Sequence, residues 1–103
     1  MWNDLASRID HVSKTRGDGA GFDILAFDIE GNELYVEVKT TTGGKGTQFY
    51  VTGNELALSQ QKGEQFVLYR IFDWNGTEGK FWRVAGPLDE QLELQPVVFS
   101  ASR

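Results

Sequence analysis

The sequence predicts an α/β domain in which a compact, mixed and mostly antiparallel sheet is flanked by helices. Three observations support this fold class: segments of alternating apolar and polar residues, one complete helix-capping signal, and glycine-containing turns between the segments. The chain has 103 residues, of which 40% are hydrophobic and 13% aromatic, enough for one core. We therefore expect a single domain over residues 1–103, with a piece of a longer multidomain protein as the open alternative.

A short helix and an edge strand are expected before the main strands. Leu5 and Ile9 share one face of a helix over residues 4–9. Residues 11–15 are predicted to extend as an edge strand. The loop over residues 17–21 contains three glycines, which permit positive φ or a close approach of two backbone segments.

An antiparallel hairpin is predicted next. Its strands cover residues 22–28 and 34–40, and the turn between them contains Glu30-Gly31-Asn32. Successive side chains of a strand alternate between its two faces. One face of the second strand therefore carries Leu34, Val36 and Val38, and the opposite face carries Tyr35, Glu37 and Lys39.

A capped helix follows a polar, glycine-rich connection. Thr52 and Glu55 have the spacing of a capping box, in which each side chain accepts a hydrogen bond from the backbone N–H of the other residue. The helix is expected to run to Lys62, because Gly63 is a typical C-terminal stop.

The last part of the chain predicts a second hairpin. Residues 65–74 are rich in aromatic and β-branched side chains, Asn75-Gly76 begins a turn, and residues 80–84 return as the partner strand. Residues 86–92 have room for at most one helical turn, and residues 97–101 form a terminal strand or tail.

Charge and cysteine content exclude several classes of protein. Ten Lys and Arg against fifteen Asp and Glu give a net charge of −5, which argues against coating nucleic acid by bulk charge. Any contact with nucleic acid is then local or assisted by a metal. No cysteine is present, so disulfides and thiolate chemistry are excluded. With no signal peptide and no apolar run long enough for a membrane span, we expect a cytoplasmic protein.

The candidate site is an acid on one strand of the first hairpin and Glu-Val-Lys on the other. Glu37 and Lys39 project from the same face, about 7 Å apart along the strand. Asp23 begins the strand predicted to pair with theirs, so its carboxylate can approach Glu37. If the two carboxylates come close together, they repel each other unless a cation lies between them.

Mg²⁺ or Mn²⁺ suits this pair of acids. Mg²⁺ takes oxygen ligands and keeps several waters, and the carbonyl of Val38 is available as a third protein ligand beside Asp23 and Glu37. Metal binding activates water and neutralises phosphoryl charge, while Lys39 orients the attacking hydroxide. The residues thus outline phosphodiester hydrolysis. The alternative is an amphipathic strand whose outer face displays Glu37 and Lys39 as a solvated pair.

Four short segments occur in an order typical of a known family. They are Gly-Phe-Asp-Ile at 21–24, Glu-Val-Lys-Thr-Thr at 37–41, Phe-Tyr-Val-Thr-Gly-Asn-Glu at 49–55 and Leu-Tyr-Arg-Ile at 68–71. Together they resemble the family named after the C-terminal domain of the plant protein NO VEIN. The resemblance covers most of the chain, from about Asp10 to Val98.

The resemblance implies a nuclease-like domain. The family looks like a branch of the PD-(D/E)XK nuclease superfamily, which has a restriction-endonuclease-like core. In that pattern the metal-binding acid falls on Asp23, the second acid on Glu37 and the catalytic lysine on Lys39. The implied function is an Mg²⁺-dependent DNA endonuclease, in defence against foreign DNA. A non-catalytic module that binds DNA or protein through a degenerate nuclease fold remains the alternative.

Partners and contacts are expected around the same site. Lys14, Arg16, Thr41 and Lys45 lie in loops on either side of it, from which they can reach phosphates of a DNA backbone. A helicase or restriction-type module is the expected protein partner, and a homodimer would place two sites across a duplex. No contact with a membrane is expected.

Overall fold

One sheet holds the strands in the order of the sequence. The computed structural model describes residues 10–11, 21–97 and 101–103. The helix predicted over residues 4–9 and most of the edge strand predicted over residues 11–15 lie outside this part of the chain. The sheet order is β1-β2-β3-β4-β5. The strands are β1 (Asp10–His11), β2 (Ile24–Phe27), β3 (Glu33–Thr40), β4 (Phe66–Phe72) and β5 (Lys80–Ala85).

The sheet is mixed, because its two central strands run parallel. β1 pairs antiparallel with β2, as β2 does with β3 and β4 with β5. β3 and β4 instead run parallel, from Tyr35 opposite Phe66 to Thr40 opposite Ile71. The sheet is therefore mixed, with three of its described pairings antiparallel and the β3–β4 pairing, which the sequence did not identify as parallel, running the other way. The reason is the helix between β3 and β4, which returns the chain across the sheet and makes the next strand parallel to the previous one.

The predicted capping box begins the helix that makes this crossover. The helix, α1, covers Gly53–Lys62, with Thr52 as its N-cap. The Thr52 hydroxyl accepts from the N–H of Glu55 at 3.1 Å, and Oε1 of Glu55 accepts from the N–H of Thr52 at 2.8 Å. Such a cap stabilises a helix by about 1 kcal/mol. The helix ends at Gly63, as predicted.

A buried serine connects α1 to the second helix. This helix, α2, is the single turn Leu88–Gln91. The hydroxyl of Ser59 donates to the carbonyl of Leu56 at 2.7 Å and accepts from the N–H of Leu88 at 3.0 Å. Ser59 and Leu88 are almost completely buried, so the hydroxyl satisfies a backbone donor that water does not reach.

Both predicted hairpins are present, and side-chain oxygens stabilise their turns. In the β2–β3 turn, Asp28 Oδ1 accepts from the N–H groups of Glu30 and Asn32. In the β4–β5 connection, Asn75 Oδ1 accepts from two backbone N–H groups. β4 ends at Phe72, before the predicted residue 74, because Asp73 adopts a φ of 51° that leaves the extended conformation.

The core lies between α1, α2 and one face of the sheet. Phe22, Phe66, Leu68 and Leu88 form its buried centre. Tyr35 packs against this centre, and its ring meets Phe22 edge-on at 5.0 Å between centroids. The face of β3 with Tyr35, Glu37 and Lys39 is therefore the helix-covered face of the sheet.

The end of the chain has no regular structure where it is described. Val97 and residues 101–103 belong to no helix or strand, and residues 98–100 lie outside the described part. None of the helices in the described ranges has the length and apolar composition that a bilayer span requires.

Gly21 packs directly against α1, and an added methyl group is expected to disrupt this contact. Gly21 has a φ of 87°, and a Cβ built on it would lie 2.8 Å from the carbonyl oxygen of Asn54. Left-handed backbone costs about 1–2 kcal/mol and overpacking about 1–3 kcal/mol. Gly21→Ala should therefore lower the free energy of unfolding, measured in urea, by about 2–5 kcal/mol.

Gly31→Ala is the matched control for this prediction. Gly31 has nearly the same φ, 88°, but a Cβ there meets no atom within 4 Å. This variant should lose only the backbone contribution of about 1–2 kcal/mol. Equal losses in the two variants would contradict the close packing of Gly21 on the helix.

Candidate functional site

The site begins where β2 and β3 separate. The N–H of Asp23 donates to the carbonyl of Val36 at 2.9 Å, which continues the β2–β3 pairing by one residue. Beyond this point β2 no longer pairs with β3, and the Asp23 side chain binds the β3 backbone instead. Its Oδ2 accepts from the N–H of Val38 at 2.9 Å. The N–H and C=O of one strand residue point to the same edge. The carbonyl of Val38 is therefore directed toward the same edge as Asp23.

Glu37 lies on the adjacent, helix-covered face and is buried. Only 6% of the residue is exposed. The parallel ladder places Leu68 opposite Glu37, so one of its neighbours is the apolar core. The interpretation of Glu37 and Lys39 as a solvated surface pair is therefore wrong for Glu37: the crossover helix covers the face that an isolated strand would expose.

Lys39 joins β3 to the N-terminus of α1. Its Nζ lies 2.8 and 3.0 Å from the two carboxylate oxygens of Glu55, and 3.6 Å from Oε1 of Glu37. Only 21% of the lysine side chain and 9% of the Glu55 side chain are exposed. The lysine is therefore held between two acids, of which Glu55 is the closer.

Glu55 is a site residue that the sequence pattern did not reveal. Its spacing from Thr52 indicated a helix cap, and that role is confirmed. The same carboxylate also binds Lys39, a residue 16 positions earlier. The only available signal was an acid in the first turn of a helix that follows a Glu-x-Lys strand, and such an acid is common at any helix N-terminus.

The two glutamates have opposite protonation behaviour. Burial raises the pKa of Glu37 to about 8, and a hydrogen bond with Glu55 and the charges of Glu55 and Asp23 contribute in the same direction. Burial also acts to raise the pKa of Glu55, but hydrogen bonds from Lys39 and from the N–H of Thr52 hold it below its ordinary value. At neutral pH, Glu37 is therefore mainly protonated and donates to the Glu55 carboxylate.

The described side chains alone do not form a complete metal cage. Among residues 10–11, 21–97 and 101–103, no group of three or more His, Cys, Asp or Glu side chains is arranged to hold a metal ion. Asp23 and Glu37 are close enough for their charges to interact, and the Val38 carbonyl is directed to the same edge. A metal at this site thus needs two carboxylates, a backbone oxygen and ligands from outside these residues, such as water.

An open groove begins beside Lys39, between the end of β3 and the segment before α1. Its volume is about 390 Å³, and its lining includes Lys39, Thr41, Gln48, Tyr50 and Arg70. Of the predicted nucleic-acid contacts, Thr41 therefore lines this groove. Lys45 is exposed in the segment between β3 and α1. Lys14 and Arg16 lie outside the described residues.

Arg70 is the second site residue that the sequence reasoning did not assign. It lies opposite Lys39 in the parallel ladder and is only 2% exposed. Strand alternation places Arg70 on the same face of β4 as Phe66 and Leu68. The signal in the sequence was therefore an arginine on the apolar face of a strand, where a charged residue is unusual. The sequence did not show that Arg70 lies beside Lys39, because this depends on the parallel register of β3 and β4.

Comparison with known families agrees with the arrangement of these motifs. The family model of the protein NO VEIN C-terminal domain matches residues 2–84. The chain belongs to this family. The match includes β2, β3, α1, β4 and most of β5, and therefore every site residue described above. No curated protein and no solved structure matches the chain.

Glu37 should make the stability of this domain depend on pH. Its pKa is about 8 in the folded protein against an ordinary 4.5, so between these values the folded state holds a proton that the unfolded chain has released. This contribution is complete below pH 4.5 and is lost as the pH rises through about 8. In that window, wild type should lose stability relative to Glu37→Gln, by up to about 1.4 kcal/mol per pH unit.

Urea unfolding at a series of pH values from about 5 to 9 measures this difference. Gln retains the shape of the protonated carboxyl and its ability to donate to Glu55, but it does not titrate. Glu64→Gln removes an exposed carboxylate and should follow wild type at every pH. Parallel stability curves for wild type and Glu37→Gln would show that Glu37 is ionised in the folded protein.

Proposed function

We propose that this domain is an Mg²⁺- or Mn²⁺-dependent DNA endonuclease of the PD-(D/E)XK superfamily, with a restriction-endonuclease-like core. The observation that carries the proposal is the placement of Asp23, Glu37 and Lys39 at one edge of a mixed sheet, where β2 and β3 separate. A divalent metal held by two acids can polarise a phosphoryl oxygen and activate a water, and a neighbouring lysine can stabilise the charge that develops in phosphodiester hydrolysis.

The donor atoms at this edge suit a hard divalent cation. Asp23 and Glu37 supply carboxylate oxygens, Val38 supplies a backbone oxygen, and Mg²⁺ prefers such ligands together with water. When bound, the metal would supply Lewis-acid polarisation of a phosphoryl oxygen and a more acidic water. Glu37 must release its proton before its carboxylate serves as a ligand.

The chain's own residues then have separate roles. Lys39 brings a positive charge to the site and stabilises negative charge that develops on a phosphate or on an attacking hydroxide. Glu55 orients Lys39 through two short contacts, of 2.8 and 3.0 Å. Because the helix covers this face, the charge of Lys39 acts where water screens it weakly.

A non-catalytic binding module is the second candidate function. It is favoured by the way these polar groups satisfy one another within the chain: Asp23 accepts from Val38, Lys39 binds Glu55, and Glu37 is mainly protonated at neutral pH. Such a domain would use the same face to hold DNA or a partner protein without metal and without cleavage.

The proposed setting is the cytoplasm, in defence against foreign DNA. We expect the domain to act on DNA beside a helicase or restriction-type module, or as a homodimer with one site for each strand of a duplex. The net charge of −5 makes a separate DNA-recognising partner useful, because the chain as a whole repels a polyanion.

Replacement of Lys39 distinguishes the two candidate functions. If the domain is a nuclease, Lys39→Ala should lower the rate of Mg²⁺-dependent cleavage of plasmid DNA by about a hundredfold or more, because a charge at the reacting phosphate is lost. Circular dichroism should show an unchanged fold. Lys80→Ala, which removes an exposed lysine at the far hairpin, is the control and should cleave at the wild-type rate.

Retained cleavage by Lys39→Ala in a clean preparation would refute the assignment of Lys39. Binding of DNA without Mg²⁺, together with no nicked product at any metal concentration, would establish the binding module instead.

Metal binding is testable without a substrate. Isothermal titration calorimetry with Mg²⁺ or Mn²⁺ should detect binding at millimolar concentration or below, and Glu37→Gln should abolish it because one of two carboxylate ligands is lost. Affinity should rise as the pH approaches about 8, where Glu37 loses its proton. Glu64→Gln should bind as wild type, and equal binding by Glu37→Gln would place the metal elsewhere.

A further inference from the structure

Arg70 is a buried charge that the proposed hydrolysis does not use. It is 2% exposed and lies opposite Lys39 in the β3–β4 ladder. Its Nη2 donates to the carbonyl of Thr47 at 3.0 Å, and its Cζ lies 4.7 Å from the centre of the Phe49 ring. These contacts hold the guanidinium against the segment that borders the groove.

No carboxylate balances this guanidinium in the part of the chain that the structure describes. The ion pairs there join Lys39 to Glu37 and Glu55, and Lys80 to Asp73. The Nε of Arg70 is also buried without a hydrogen-bond acceptor among these residues. A buried, unpaired cation is costly, and an anion bound nearby offsets that cost.

The groove beside Arg70 has space for such an anion. Its volume of about 390 Å³ is larger than one phosphate requires. Thr41 and Gln48 line it with polar side chains, and Tyr50, which is 76% exposed, lies at its rim. Lys39 contributes a second cation, although its charge is shared with Glu55.

We propose that this groove is a phosphate-binding subsite in which Arg70, with Lys39 beside it, holds a backbone phosphate of a nucleic-acid strand. The guanidinium is suited to phosphate because its planar donors match two phosphate oxygens, and threonine hydroxyls commonly supply further donors. The assignment of the phosphate to a strand rests on the proposed function. Binding of phosphate itself needs neither metal nor cleavage.

Phosphate binding is measured by NMR of the ¹⁵N-labelled protein in EDTA. Inorganic phosphate is titrated against sodium chloride at equal ionic strength, and the Nε–H resonance of Arg70 and the amides of residues 41–51 are followed. Phosphate, but not chloride, should shift these resonances saturably. No saturable shift of the Arg70 Nε–H, or the same shift with chloride, would overturn the proposal.

Two arginine variants test whether Arg70 is responsible. Arg70→Met replaces the aliphatic part of the arginine with an unbranched side chain of similar length and removes the charge. It should weaken phosphate binding about tenfold or more, which corresponds to about 1.4 kcal/mol. Arg83→Met loses the same charge from an exposed residue of β5 on the opposite face, and its affinity should stay within about twofold of wild type. Equal losses would overturn the subsite. Should Arg70→Met not fold, the Nε–H titration of wild type decides.

A short oligothymidylate, titrated under the same metal-free conditions, tests the source of the phosphate. Shifts of the same Arg70 and loop resonances, lost in Arg70→Met, would support a strand phosphate. Binding of inorganic phosphate alone would overturn that part of the proposal. Because EDTA is present throughout, a catalytically inactive domain can still bind the oligonucleotide, so failure of the nuclease proposal and failure of the subsite are distinguishable.

Discussion

The carboxylate of Glu55 is the interaction on which the arrangement of this domain depends. One of its oxygens accepts from the N–H of Thr52 and begins α1, and both oxygens lie within 3.0 Å of the Lys39 ammonium on β3. The same group therefore starts the crossover helix and ties it to the sheet. Loss of this carboxylate would leave the N–H of Thr52 without its acceptor and the largely buried Lys39 without the closer of its two acids, and each such loss costs more than a surface ion pair contributes.

This contact also determines the charges of the candidate site. With Glu55 ionised against Lys39, a second buried negative charge on Glu37 is unfavourable, and Glu37 retains its proton at neutral pH. The result is a site whose cation and acids are balanced within the chain. A divalent metal adds charge to this balance, and Glu37 must ionise to serve as its ligand, which the nuclease proposal requires and the binding-module proposal does not. Arg70 lies beside this balanced group but takes no part in it, which is why an external anion is its natural partner.

The sequence pattern anticipated local features closely. The capping box, the glycine that ends α1, the two hairpin turns and the single helical turn of α2 all occur where they were expected, and the alternation along β3 placed Glu37 and Lys39 on one face. It did not show that the crossover helix covers the face with Glu37 and Lys39. Each of the two faces of β3 includes a buried residue. Tyr35, Glu37 and Lys39 are more polar than Leu34, Val36 and Val38, yet the helix packs on the more polar set. The parallel pairing of β3 and β4 was also missed, although the helix between them was predicted.

The sequence by itself determined the local structures whose hydrogen bonds join residues only a few positions apart. The Thr52–Glu55 cap and the Asp28 turn are examples, because the spacing of the residues alone sets which groups bond to each other. Tertiary structure decided the candidate site. The bond from Val38 to Asp23 spans 15 residues, and the pair of Lys39 and Glu55 spans 16. Burial of Glu37 and the juxtaposition of Arg70 with Lys39 likewise required the crossover and the parallel register. Local spacing does not determine such contacts, because they depend on which elements pack together and on the direction in which the chain returns.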